Sequence, residues 1–312
     1  MITSIFGKTK PINFITVLTF LFVLYWFVHY FMFDNAYSMN EVLAQTLILA
    51  VLLFSVFIVD FIVKRNKVTE TNAFAILFYA VLVMVFPKTL IDSDAIFCSL
   101  FLLLATRRLI SLRSLKDIKL KIFDATFWVL VSSLFYEWAL LYLILVCVAI
   151  YIYEPKNIRN WMAPFAAFFT IFMISYCVLI LADNTGYLVE HYTFSYGFNT
   201  SIFFNWGNSI KLAVYVLMIV LAAIFVFFNS GKAGMGKIVT IRLIALSFVI
   251  GLVMNIVMAS SDTYPIMITF FPAVVFVTNF VESIRKPKVK EIVLITTVVV
   301  PFIIFLLGIG IK

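Results

Sequence analysis

PKTLIDSDAIFCSLFLLLATRRLISLRSLKDIKLK, from Pro87 to Lys121, decides how this chain is read. Two carboxylates, Asp92 and Asp94, open an apolar run from Ala95 to about Leu109, and six cations close the segment: Arg107, Arg108, Arg113, Lys116, Lys119 and Lys121. About 20 helical residues span the hydrocarbon core of a bilayer comfortably, so this run crosses with help from its polar flanks. Lys and Arg collect on the cytoplasmic side of a membrane. The segment therefore predicts a helix running from an acidic outer end to a basic inner end.

The rest of the chain agrees with that reading. Of its 312 residues, 64% are hydrophobic and 12% charged, about half the charge that a soluble domain carries. The net charge of +8 does not make a nucleic-acid face, because the cations fall in short clusters between apolar runs. Cys98, Cys147 and Cys177 lie inside apolar runs, which supports neither a disulfide framework nor a zinc site and predicts three small buried hydrophobes. The run from Ile12 to Phe33 follows Lys8 and Lys10 and is too long for a signal-peptide core, so it reads as a first span. No polar interval is long enough to build a soluble domain, and residues 1–312 read as one integral-membrane unit.

Apolar runs bounded by charge place spans near 12–33, 42–63, 70–86, 95–110, 122–135, 138–153, 160–182, 208–229, 241–260, 264–281 and 292–311. The expected fold is an all-α polytopic bundle of about eleven spans with a cytoplasmic N-terminus. Ile122 to Tyr153 is long for one crossing and short for two, and charge decides between them. With two crossings, 20 of the 23 Lys and Arg lie inside, and only Lys88, Lys211 and Lys312 lie outside. A single crossing would send nine downstream cations outward, against the positive-inside tendency. A hairpin turning near Phe135 to Trp138 is therefore expected.

The outer side collects Asp34, Glu41, Asp92, Asp94, Glu137, Asp183, Glu190 and Asp262. Solvated helix ends explain any one of them; their concentration in short loops suggests a vestibule. The interval 183–207 has no Lys or Arg and is dense in aromatics, including Tyr192, Tyr196 and Trp206. It reads as an interfacial segment or as a lid on whose rings a sugar or lipid-linked substrate stacks. Asp60 precedes Lys64 by one helical turn and should pair with it, while Asp124 and Glu282 lie within snorkelling reach of the inner interface. His29 and His191 lack a second histidine at metal-binding spacing. Asp92, Asp94 and an acid such as Asp34 would suit a hard divalent ion such as magnesium or manganese, but Asp-x-Asp alone does not assign a metal. No nucleophile triad, phosphate loop or dinucleotide fingerprint is present, so no cofactor is assigned.

Two resemblances bear on function. The segment from Thr69 to Asn160, with TNAFAILFYAVLVMVFP, DSDAIFCSLFLLLATRRL and FWVLVSSLFYEWALLYLILVCVAIYIY, resembles the membrane core of the GT-C glycosyltransferases, which take sugars from polyprenyl-phosphate carriers at the outer face. That family has a long first outer loop bearing a catalytic carboxylate, whereas Phe33 to Val42 is short. The resemblance implies a general base at Asp34 or Glu41 that deprotonates the acceptor, with Asp92 and Asp94 positioning it or holding a metal and Asp94 the likelier catalytic contributor. It also implies substrate contacts from Lys88, Asp92, His191, Tyr192, Tyr196, Trp206 and Lys211. The whole chain, most of all EPKNIRNWMAPF before the seventh span, resembles multispan inner-membrane proteins of Bacteroidota, a resemblance that implies a bacterial inner membrane. The leading expectation is a non-catalytic subunit or scaffold of a cell-envelope complex, among membrane lipids and other membrane subunits. A GT-C-like transferase using a polyprenyl-phosphate-linked sugar comes second, and a small-molecule or lipid transporter third.

Overall fold

A computed structural model describes residues 2–33, 35–194, 206–229, 234–258 and 263–310. Among them every regular element is helical, and there is no strand. In order the helices are α1 (Ile2–Phe6), α2 (Pro11–Phe27), α3 (Met39–Arg65), α4 (Phe74–Val85), α5 (Ser93–Ser111), α6 (Ile118–Ser133), α7 (Leu143–Tyr153), α8 (Ile158–Leu181), α9 (Tyr187–His191), α10 (Trp206–Asn229), α11 (Met235–Val257), α12 (Phe270–Ser283) and α13 (Pro287–Gly310). A π turn, Val28–Met32, extends α2, and 3-10 stretches at Pro87–Leu90, Glu137–Tyr142 and Pro265–Thr269 lead toward α5, α7 and α12.

Each expected apolar run contains a helix, and eight of these helices are long and apolar enough to cross a membrane. Among the described residues three runs fall short of that length: the fifth, whose helix α6 has 16 residues, and two that have physical reasons to be short. The sixth run combines a 3-10 stretch with α7, and at about 2.0 and 1.5 Å per residue the two together reach about 28 Å. Helix α4 is only 12 residues long, but most of it is buried, and backbone ends at membrane depth are tolerated where protein covers them.

The helix from the opening stretch, α5, stands between two cores. Ile96, Leu100, Leu103 and Ile110 face one core, which surrounds α4 and α12. Ala95, Cys98, Leu102, Ala105 and Leu109 face the other, which joins α6 and α7. Each set recurs at three- and four-residue steps, so the two apolar stripes share one helix. Helix α11 also contributes to both cores. Fully buried Ala105, Ala125, Ala149 and Ala167 allow close helix contact, as small residues do in membrane bundles. Gly251 takes this furthest: a Cβ there would stand 2.8 Å from Thr269 Cγ2. Thr269 cannot swing aside freely, since its hydroxyl lies 2.6 Å from the Ile266 carbonyl and 2.8 Å from the Tyr215 hydroxyl.

Polar side chains differ in part from the sequence expectation. Asp60 does pair with Lys64, at 2.6 Å. Asp124 instead meets Arg108 at 2.9 Å, and Glu282 accepts from Asn72 Nδ2 at 2.6 Å and Glu70 N at 3.0 Å, so both acids tie segments together rather than reaching alone for an interface. Of the cysteines only Cys98 is buried; Cys147 and Cys177 are exposed on α7 and α8, where a bilayer would cover them. Pro164 and Pro301 lie inside α8 and α13, whereas Pro272 falls in the first turn of α12, where its missing N–H matters least.

Candidate functional site

Asp92 stands at the junction of three segments. As the N-cap of α5, its Oδ1 accepts from Ala95 N at 3.0 Å, satisfying one of the amides that a helix start leaves unpaired. Its Oδ2 accepts from the Tyr136 hydroxyl and, at 2.7 Å, from Tyr264 N. The Tyr264 ring lies under the Lys88 ammonium, with 5.5 Å between nitrogen and ring centre, a cation–π arrangement. Lys88 and Asp92, both expected as substrate contacts, are thus brought together around a tyrosine that the sequence reading did not single out. Tyr136 is almost fully buried. Burial, reinforced by the Asp92 carboxylate, pushes its phenol pKa well above the ordinary range and keeps it a donor.

A second group gathers where α9 meets the end of α6. His191 Nε2 donates to the Ser133 carbonyl at 2.8 Å, Tyr187 donates to the Leu134 carbonyl at 3.1 Å, and the Tyr192 and Ser133 hydroxyls lie 2.8 Å apart. The last carbonyls of α6 lack helical partners, and the aromatic segment supplies donors for them. Tyr187 stacks on His191 at 5.2 Å, and Phe194 meets the Trp138 ring edge-on at 5.4 Å. Asp94, exposed in the first turn of α5, is within electrostatic reach of both Asp92 and His191. Burial pushes the Tyr187 phenol up, and the Asp94 charge adds to the shift. Beside this group is an apolar cavity of about 290 Å³ between α6 and α8, lined by Leu130, Leu140, Phe168 and Ile171 and edged by Ser133 and Tyr192.

The remaining candidates lie apart. Glu41 Oε2 accepts from Ser38 N at 2.7 Å, so this carboxylate closes the first turn of α3. His29 is fully buried; its Nε2 is 3.1 Å from the Leu90 carbonyl and its Nδ1 is 2.5 Å from the Tyr37 hydroxyl. Lys211 is half-buried early in α10, and Trp206 opens that helix. Asp34 and Tyr196, expected as catalytic base and substrate contact, lie outside the described residues. No group of three or more His, Cys, Asp or Glu suited to a metal forms among the described residues.

No protein-family model matches this chain, and neither does any curated protein or solved structure. What the site can do therefore rests on its own chemistry. Asp92 and Glu41 hold backbone ends, His191 and its neighbours dock a segment, and among the described residues Asp94 is the expected acid left without such a bond. Tyr136, Tyr264 and Ser133 were missed. Tyr136 and Tyr264 carried only a faint signal, a tyrosine at the hairpin turn and another just before Pro265.

Proposed function

We propose that this chain is a non-catalytic integral-membrane subunit of a bacterial cell-envelope complex, crossing the inner membrane about eleven times from a cytoplasmic N-terminus. The observation that carries the proposal is the structural engagement of Glu41 and Asp92. A general base must offer a lone pair within reach of the substrate proton; Glu41, an expected base, already accepts from Ser38 N, and Asp92, an expected substrate contact, from three separate donors. Only 11% of the most apolar stretch of α8 and of α13 is buried, which leaves wide surfaces for lipids and neighbouring subunits. On α8, Phe168, Phe172 and Tyr176 stack in succession, with ring centres 6.4 and 6.0 Å apart.

Purification in mild detergent should bring down a second membrane protein in fixed ratio, and Asp94→Asn should support cellular function as well as the wild type. A monodisperse monomer that sustains full function with no partner would sink the proposal. The cavity beside Tyr192 favours a second reading, a GT-C-like transferase that seats a polyprenyl chain among Leu130, Phe168 and Ile171. In that case Asp94→Asn lowers turnover by about 10² to 10⁴ with little change in stability, so one variant separates the two readings.

The orientation has its own test. In a background with Cys147 and Cys177 replaced by alanine, a cysteine at exposed Glu190 should react with an impermeant reagent added outside cells. One at exposed Ser114 should react only after the membrane is opened. The reverse pattern would invert the topology.

A further inference from the structure

At the opposite end of the bundle from Asp92, the last turns of α3 and α5 enclose an open groove of about 620 Å³ lined by Phe57, Ile58, Asp60, Phe61, Lys64, Arg65 and Arg107. Three cations face one carboxylate there. Lys64 is committed to Asp60 at 2.6 Å, which neutralises that pair and leaves a net charge of +2 on Arg65 and Arg107. Neither arginine forms an ion pair among the described residues. The Arg107 guanidinium lies 4.6 Å from the centre of the Phe61 ring. Stacking of this kind holds the guanidinium plane while its N–H edges stay available.

An apolar track leads into the groove. Phe54, Phe57 and Phe61 follow one another at three- and four-residue steps, which puts them on one face of α3, and their exposures are 50%, 47% and 42%. Phe57 is braced from α2 by Phe14, with stacked rings 5.5 Å apart. A strip of exposed rings that ends at two unpaired arginines matches a molecule with an acyl chain and an anionic head. Arginine is well suited to such a head because its planar fork meets phosphate oxygens in pairs.

We propose that this groove binds the phosphate headgroup of an anionic phospholipid, with an acyl chain lying along Phe54, Phe57 and Phe61. Arg65 and Arg107 contact the phosphate, and the Asp60–Lys64 pair closes the side of the groove. This site goes beyond the subunit proposal and does not depend on it, since a scaffold and an enzyme could both hold such a lipid.

The full chain, purified in detergent, would be titrated with dioleoyl phosphatidylglycerol or dioleoyl phosphatidylcholine, and the bound fraction read by native mass spectrometry. The wild type should prefer phosphatidylglycerol. At about 1 kcal/mol for each arginine near a lipid phosphate, Arg65→Gln should weaken that lipid about fivefold, and Arg65→Gln with Arg107→Gln about thirtyfold. Lys116→Gln with Lys119→Gln removes the same charge from exposed positions just before and at the start of α6, outside the groove lining, and should change little. Arg65 is itself exposed, so the single variant keeps the test decisive if the double variant folds poorly. Equal binding of the two lipids by the wild type would overturn the proposal, as would an unchanged preference in Arg65→Gln or an equal loss in the lysine pair. Displacement of the lipid by inorganic phosphate at matched concentration would also overturn it, assigning the groove to a soluble anion.

Discussion

Asp92→Ala is expected to destabilise the folded chain by about 3–4 kcal/mol, because one carboxylate serves three donors from three segments. The lost helix cap contributes about 1 kcal/mol, and each of the two other charge-assisted bonds about 1.5 kcal/mol at the low end of its range. Hydrogen bonds between membrane helices average less, near 0.6 kcal/mol, because chains unfolded within the bilayer find other partners. The higher figure applies here because an anion is involved and because Tyr136, only 3% exposed, would lose the acceptor its hydroxyl has among the described residues. Asp92→Asn, which retains an acceptor and loses the charge, should cost less, and Tyr136→Phe, which leaves the carboxylate its two amide donors, less again. Unfolding of the purified protein by denaturing detergent would order the three. If Asp92→Ala unfolds at the wild-type midpoint, Asp92 is a free surface acid and becomes a candidate for chemistry once more.

The positions of the helices were legible because bilayer thickness and charge asymmetry act on local sequence. The hairpin between α6 and α7 was found by counting cations, not by hydropathy, since both arms are short. The 3-10 stretch from Glu137 to Tyr142 explains how the second arm gains length, and nothing in its composition announced that geometry. The partners of the polar groups were not legible. Tyr136 and Tyr264 lie 44 and 172 residues from Asp92, and Glu282 lies 210 residues from Asn72. Asp92 could be flagged as an acid at an outer turn, but a carboxylate looks the same in sequence whether it awaits a substrate or fastens two backbones. Phe54, Phe57 and Phe61 were hidden for a related reason: in a span that is apolar all round, a lipid-facing stripe has no polar face to contrast with.

His29→Leu should be the other costly substitution, at about 2–4 kcal/mol. The buried ring joins the π turn after α2 to the 3-10 stretch that leads to Asp92. Its Nε2 hydrogen is donated to the Leu90 carbonyl at 3.1 Å, which leaves Nδ1 to accept from the Tyr37 hydroxyl. The Tyr25 ring, 4.3 Å away between ring centres, covers one face. Leucine fills much of the space but donates nothing, so the Leu90 carbonyl, on a residue 1% exposed, loses its partner, and an unsatisfied buried group costs about 1–3 kcal/mol. Tyr37→Phe should cost only about 0.5–1.5 kcal/mol, since Tyr37 is half-buried and the bond to Leu90 survives. His29→Gln, with a donor and an acceptor on one amide, should recover part of the loss. Leu90 is two residues from Asp92, so slackening its anchor also loosens the Asp92 latch. His29→Leu combined with Asp92→Ala should therefore cost less than the sum of the two by more than about 0.5 kcal/mol, the scatter found for independent sites. Strict additivity in the same unfolding assay would show that the two anchors act separately and that the 3-10 stretch between them does not transmit strain.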